Sequence, residues 1–467
     1  MKLDEIDLLE DAWAQGVPHD AFDLLRREAP VHWHPEPDGP GFWAVTRHAD
    51  VVKASRDTAT FSSELGGTFV DDQTDEALAQ IRLTILNMDP PKHARYRRLV
   101  SRGFTPRMIA RLVETIEKRA ERIVDDVVDR GECEFVEDVA AKLPLEMICE
   151  MIGVPEADWH RMFELSNMLV GRDDPDFQYE STSAESAAAE IYAYCDAVAA
   201  DRRANPRDDL MTALVQAEVE GERLDDLELN LFFVTLVVAG NETTRNLINH
   251  SMQALIDHPD EHRRLQADPD LWPTAIEEML RWGTSIHNFR RTATVDTELS
   301  GQPIAAGDKV VLYYMSANRD EDVFPDPHRF DVGRTPNDHV AFGGTGVHYC
   351  LGANLARAEI RAIMRQLVDR LDGFTPAGGD HRPAAVRLRE RHQADADHVH
   401  QALTPSRPGH PSPSRSMPVV GRRVGRSQVG GSAARRLGGE QGAGAAVSTR
   451  PGGFLAFERA RTGTPEP

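Results

Sequence analysis

At 467 residues the chain could make one large domain or two to three ordinary ones, so length alone leaves the domain count open. Its net charge of −23 disfavours nucleic acid as a partner, because phosphate binding requires clustered Lys and Arg. The four cysteines, Cys133, Cys149, Cys195 and Cys350, are widely spaced and form no C-x-x-C pair, which argues against a zinc site or a disulfide framework.

The longest apolar run, Leu231 to Gly240, falls short of the roughly 18 residues that a bilayer crossing needs, so no membrane span is expected. No charged-then-apolar leader opens the chain, and a cytoplasmic location is the expectation.

The first thirty residues carry short helical patterns, with Phe22, Leu24 and Leu25 as apolar positions before Pro30. Val31 to His34 and Gly41 to Val45 alternate apolar and polar residues across a Pro/Gly break, the pattern of a β-hairpin. Asp50 is then placed to cap a helix starting at Val51. Pro90-Pro91 opens another helix, on which His93 and Arg97 lie four apart on one face. By spacing alone that pair reads as a solvated basic face.

From about 106 to 220 the pattern is helical nearly throughout, with Ile109, Leu112, Ile116, Ile123 and Val127 at three- and four-residue spacings. The acidic, small-residue segment Gly171 to Ser186 suits a loop, either over a cavity or on the plain surface. A long helix should begin near Asp225-Asp226 and be buried, since Leu231 to Thr244 is apolar nearly all round. Its informative exceptions are Ala239-Gly240, a thin wall beside Val238, and the acid and hydroxyl of Glu242-Thr243. A threonine bonding back to the carbonyl four residues earlier is the plain structural reading of Thr243.

Glu278 and Arg281 follow at i,i+3 on a further helix, and β-rich stretches run from Thr284 to Tyr314. Last comes Phe342-Gly343-Gly344-Thr345-Gly346-Val347-His348-Tyr349-Cys350-Leu351-Gly352, a glycine-rich loop that delivers one cysteine to the start of a helix. Backbone N–H groups there stabilise a thiolate, and glycines at 343, 344, 346 and 352 are expected to take positive φ close to a flat ligand.

This loop resembles the haem-binding loop of the cytochrome P450 family. It departs from the commonest form in that Phe342 lies eight residues before the cysteine, where seven is usual. Ala-Gly-x-Glu-Thr-Thr resembles the family's oxygen-activation motif, and His93-x-x-x-Arg97 its propionate-contacting helix. The resemblance spans roughly residues 5 to 385. It implies a mainly α fold with small β-sheets, with haem between the central helix and the cysteine loop.

Cys350 would be the iron ligand, and Glu242 and Thr243 would manage protons. His93, Arg97, Ala239, Arg291, Phe342, Gly343, Gly346, His348 and Gly352 would hold the haem. Leu86, Val238, Gly240, Ser285, Ile286 and Asn288 would line the substrate pocket. Glu278 and Arg281 would form a buried structural triad with Arg329.

The implied reaction is insertion of one oxygen atom from O2 into a C–H bond. Haem b would be the cofactor, and NAD(P)H electrons would arrive through a ferredoxin and its reductase or a flavodoxin. The expected protein is a monomer acting on a hydrophobic small molecule. The motifs are most similar to subfamilies that oxidise terminal methyls of steroid side chains and branched lipids, which places a steroid ahead of a fatty acid or terpenoid.

A haem domain is accordingly expected over 1 to 387, with a Pro/Gly/Arg-rich disordered tail over 388 to 467. That tail, from Arg391 onward, carries 11 arginines, no lysine and 5 acidic residues. The terminal hairpin that the family needs is not recognisable in it. Arg391 to His400 can be encoded by bases that, shifted by one, read Gly-Ile-Lys-Gln-Met-Pro-Ile-Thr-Phe, a peptide similar to the missing strand. A frameshift near 387 to 391 would explain this, and would make a catalytically impaired haem-binding protein the alternative to an active enzyme. A different set of codons in the gene would remove that reading.

Overall fold

The structure is a computed structural model that describes residues 1–9, 17–37, 39–104, 106–170, 184–218, 221–376 and 385–390. The loop expected over Gly171 to Ser186 falls outside these residues up to 183, as does the tail beyond 390.

Helix α1 (His19–Glu28) buries Phe22 and Leu25 and ends on Arg26 and Arg27, cations suited to a helix C-terminus. Strands β1 (Val31–His34) and β2 (Phe42–Val45) form the expected antiparallel hairpin. Helix α2 (His48–Arg56) begins earlier than the sequence suggested, with Arg47 at its N-cap. Asp50 lies inside it, buried, and accepts a 2.5 Å bond from Ser300 Oγ. The free N–H of His48 is instead satisfied by the distant Asp320 at 2.7 Å, a cap that no local pattern could reveal.

Strand β3 (Phe61–Ser62), helix α3 (Asp75–Ile81) and helix α4 (Lys92–Val100) come next. They are followed by α5 (Pro106–Val128), β4 (Glu132–Glu134), α6 (Lys142–Ile152), α7 (Trp159–Val170), α8 (Ala184–Ala204) and α9 (Leu210–Val215). Helix α6 stops at Gly153, whose φ of 88° only glycine adopts cheaply.

Helix α10 (Asp226–Asp257) is the spine of the molecule, packing against α6, α7, α8, α12 (Trp272–Gly283) and α14 (Ala353–Arg370). Its start is set by a reciprocal cap: Asp225 accepts from the Glu228 N–H at 2.7 Å while Glu228 accepts from the Asp225 N–H at 3.1 Å. Helix α11 (Pro259–Ala267) links it to α12, and the four-residue α13 (Tyr314–Ala317) follows the main sheet.

The main sheet runs β1-β2-β8-β5-β3, with β5 (Asn288–Ala293) and β8 (Lys309–Tyr313) antiparallel and β2 and β8 parallel. A small hairpin joins β6 (Thr297–Leu299) to β7 (Gln302–Ile304). A third sheet sets β10 (Ala385–Glu390) between β4 and β9 (Leu371–Pro376). The chain after α14 therefore does return as a β-pair, and β10 crosses the boundary drawn at 387. No described helix is long and apolar enough to cross a membrane.

Candidate functional site: a cysteine loop facing the central helix

The cysteine loop is closed by a bond from the Cys350 N–H to the Phe342 carbonyl at 3.0 Å, directly before α14. The loop's backbone corrects one expectation. Of the four glycines, only Gly343 has positive φ, at 94°, and the other left-handed residue is Thr345 at 62°. A side chain at Gly346 would lie 1.9 Å from the Ser55 carbonyl, and one at Gly344 would lie 2.5 Å from Ser55 Oγ. These two glycines therefore let the loop press against α2, and a Cβ at Gly352 would meet nothing within 4 Å.

Cys133, Cys149 and Cys195 are buried, whereas Cys350 is exposed. Burial among protein groups still pushes the Cys350 thiol up, opposed by a hydrogen bond from the Gly352 N–H and by the charges of Arg97 and Arg357. A side chain both open and enclosed in this way faces an internal space. Phe342 lies at the loop's other end, with the Arg357 guanidinium 4.6 Å from its ring centre.

Arg357 belongs to a cluster that the sequence reading missed. It donates to Glu277 from Nε at 2.7 Å and from NH2 at 2.8 Å, and His339 Nε2 reaches the same carboxylate at 2.9 Å. Burial raises the Glu277 carboxyl, but bonds from Arg357 and His339 outweigh it and hold the group at about 2. A depressed acid stabilises the fold fully above its unfolded value of 4.5 and loses that contribution as pH falls towards about 2. The melting temperatures of wild type and Glu277→Gln should therefore differ at neutral pH and converge across that window.

Beside the loop, basic groups converge. The His93 and His348 rings lie with their centres 4.2 Å apart and their planes tilted by 48°, and His348 Nε2 lies 3.2 Å from Ser63 Oγ. Burial, then Arg291, His93 and Arg97, lower His348 to about 2, and burial with Arg97 lowers His93 to about 4. The side-chain charges acting on His348 are all basic. His93 Nδ1 and Arg291 Nε are buried with no partner among the described residues. Orphaned donors among uncompensated cations call for an anion, and two carboxylates on a flat ligand beside Cys350 satisfy that demand. The residues present thus fit haem, which His93, Arg97, Arg291 and His348 would hold by its propionates.

The triad differs from expectation in one member. Glu278 and Arg281 are wholly buried and joined by two 2.8 Å bonds. The third side chain is Arg334, whose Nε lies 3.2 and 3.1 Å from the two Glu278 oxygens. Arg329 is exposed and offers only its carbonyl, to Arg281 at 3.2 Å and Arg334 at 2.8 Å. The intervening turn carries the arginine five residues further on back over Glu278.

Across the site, α10 is open at positions four residues apart, with Thr235 half-buried, Ala239 exposed and Thr243 half-buried, whereas Leu231 to Val234 and Leu236 to Val238 are buried. Thr243 Oγ donates to the Ala239 carbonyl at 2.8 Å, the plain back-bonded geometry, and its own carbonyl accepts from Ser285 Oγ at 2.8 Å. Burial raises the Glu242 carboxyl against the pull of Arg245, whose NH2 is 3.8 Å away, and one Glu242 oxygen has no partner among the described residues.

A small apolar cleft opens along this stripe. Leu86 and Val238, expected as substrate lining, line it, as does Ala239, which was expected to face the haem. Gly240, Ser285, Ile286 and Asn288 do not: a side chain at Gly240 would point at Ile148 of α6, 3.2 Å away. One residue along a helix turns the side chain by about 100°, enough to carry position 240 off the cleft face. Ser285 is spent on the Thr243 carbonyl, Ile286 packs into the sheet-side core, and Asn288 starts β5 opposite Tyr313. The lining that sequence reasoning missed comes from Phe69, Gln80, Ile81, Thr84 and Asn87 around α3, and from Leu231 and Thr235 of α10.

A cysteine presented at a helix start, basic groups awaiting carboxylates and an apolar cleft along a buried helix together define a haem-thiolate protein. A sequence model of the cytochrome P450 family matches residues 131–385. The chain is 46% identical over 383 residues to the methyl-branched lipid omega-hydroxylase of Mycobacterium tuberculosis, covering 79% of this chain and 89% of that one. It is 41% identical over 381 residues to the steroid C26-monooxygenase of Rhodococcus jostii, covering 80% of each. Among solved structures, a Mycobacterium marinum cytochrome P450 in complex with pseudoionone superposes with a TM-score of 0.74 at 42% identity, covering 84% of this chain and 97% of that one. The chain belongs to the cytochrome P450 family, whose members are monooxygenases that bind haem and receive electrons from a redox partner.

Proposed function

We propose that this monooxygenase hydroxylates the terminal methyl of a branched aliphatic chain, using haem b and NAD(P)H electrons delivered through a ferredoxin or flavodoxin system. The observation that carries the reading is the open stripe of α10. Ala239, the smallest wall available short of glycine, stands exposed next to the buried run Leu236 to Val238 and borders a cleft whose other α10 linings are Leu231, Thr235 and Val238. Such a wall admits a slim hydrocarbon end.

Haem, when bound to Cys350, supplies the activation of dioxygen. The chain's own residues do the rest. The apolar cleft excludes water and aims the substrate carbon, burial shifts Glu242 towards its protonated form, and Thr243 presents a hydroxyl anchored on the Ala239 carbonyl. Motif likeness favours a steroid side chain as carrier of the branched end. The higher identity, 46% against 41%, favours a methyl-branched lipid. Both end in the same group.

The test is a titration of the haem-loaded protein with cholestenone, an iso-branched alkanoic acid ester, lauric acid and a terpene, following the spectral shift that accompanies displacement of water. The two branched compounds should bind more tightly than lauric acid. Tighter binding of lauric acid overturns the reading. Reduced protein under carbon monoxide should give a stable thiolate-type Soret band, and its absence or rapid decay would support the impaired haem protein instead.

A further inference from the structure

The cleft contains four polar side chains, and three are already committed. Thr235 Oγ donates to the Leu231 carbonyl at 2.7 Å. Thr84 Oγ donates to the Ile81 carbonyl at 2.7 Å and accepts from Asn87 Nδ2 at 3.0 Å. Asn87 Oδ1 accepts from the N–H and the hydroxyl of Thr68, at 2.8 and 3.0 Å. Gln80, on α3, is the exception: its half-buried carboxamide makes no hydrogen bond to any described residue.

Resting on the branched-terminus reading, we propose that Gln80 recognises a neutral oxygen function at the end of the substrate remote from the oxidised methyl. A ketone, hydroxyl or ester carbonyl would be accepted there and a free carboxylate refused.

The chemistry of the wall decides the class. A carboxamide both donates and accepts, so it satisfies a carbonyl or a hydroxyl equally well. None of the lining residues is ionisable. The adjacent cation, Arg82, is spent on the Glu64 and Leu65 carbonyls at 2.7 and 2.5 Å. A carboxylate entering the cleft would lose its water and find no counter-charge, a penalty that one neutral hydrogen bond is far too small to offset. Gln80 and Ala239 belong to different walls, α3 and α10. A molecule seated between them can present its methyl to one wall and a polar atom to the other.

Spectral binding titrations of wild type, Gln80→Leu and Gln80→Lys test this, with four probes: cholestenone, its 3-deoxy hydrocarbon, a long iso-branched alkanoic acid and that acid's methyl ester. Wild type should bind the ester more tightly than the acid. Gln80→Leu should weaken cholestenone about three- to tenfold, the worth of one hydrogen bond, and leave the hydrocarbon unchanged. Gln80→Lys should reverse the order of acid and ester. Equal losses for cholestenone and its hydrocarbon in Gln80→Leu, or a wild type that binds the acid as tightly as the ester, overturns the proposal while the branched-terminus reading stands. If wild type binds none of the branched probes, that reading falls and takes this proposal with it. Gln80 is half-buried on a short peripheral helix, so the variants should fold, and melting temperatures close to wild type confirm it.

Discussion

Cys350→Ala is expected to eliminate the thiolate-type Soret band of reduced, carbon monoxide-treated protein, and with it all oxygen insertion, while the polypeptide still folds. The side chain is exposed, and the loop is closed by the backbone bond from residue 350 to the Phe342 carbonyl, which alanine retains. The other three cysteines cannot substitute. Burial pushes Cys133 to about 11 and Cys149 and Cys195 to about 12, so none offers a ready thiolate at neutral pH. A thiolate-type band persisting in Cys350→Ala would overturn the ligand assignment. Circular dichroism of the variant separates loss of ligand from loss of fold.

The second large effect concerns stability. Glu278 accepts from Arg281, Arg334, the Asp331 N–H and Asn337 Nδ2. Removing the carboxylate in Glu278→Ala leaves two buried guanidinium groups facing each other without a counter-charge, and should cost about 3–5 kcal/mol, as for other broken buried pairs. Arg334→Ala should be strongly destabilising for the same reason. Arg329→Ala should stay within about 0.5 kcal/mol of wild type, because its side chain is exposed and the backbone carbonyl that accepts from Arg281 and Arg334 is retained in alanine. Denaturant melts of the three variants check the ranking. Equal losses for the two arginine variants would return the third place in the triad to Arg329.

These expectations show where sequence patterns reach. The cap and course of α10 were legible because Asp225, Glu228 and the apolar run act within one or two turns of each other. The hairpin of β1 and β2 was legible from period-two alternation. The cap of α2 was not, because its acceptor, Asp320, is far away in the chain and Asp50 was the nearer local candidate. Arg329 and Arg334 present the same chemistry to a reader of the sequence, and only the path of the turn between them decides which reaches Glu278. Gly240 and Ala239 are equally small neighbours, separated by a helical rotation that puts one against Ile148 and the other on the cleft.

By itself, then, the sequence pointed to the cysteine proposed as the thiolate, to the long helix that carries the acid and hydroxyl, and to the basic residues proposed to receive an anionic ligand. Each of these is a matter of residue type and short-range spacing, and chemistry of that kind is written along the chain. The tertiary structure alone decided which small residue walls the cleft, which arginine closes the triad, that Glu277 binds Arg357 and His339, and that Gln80 is, among the described cleft residues, the amide left without a hydrogen-bond partner. Those outcomes depend on directions in space and on whether a hydrogen-bonding group has already found a partner, and both are settled only when distant segments pack.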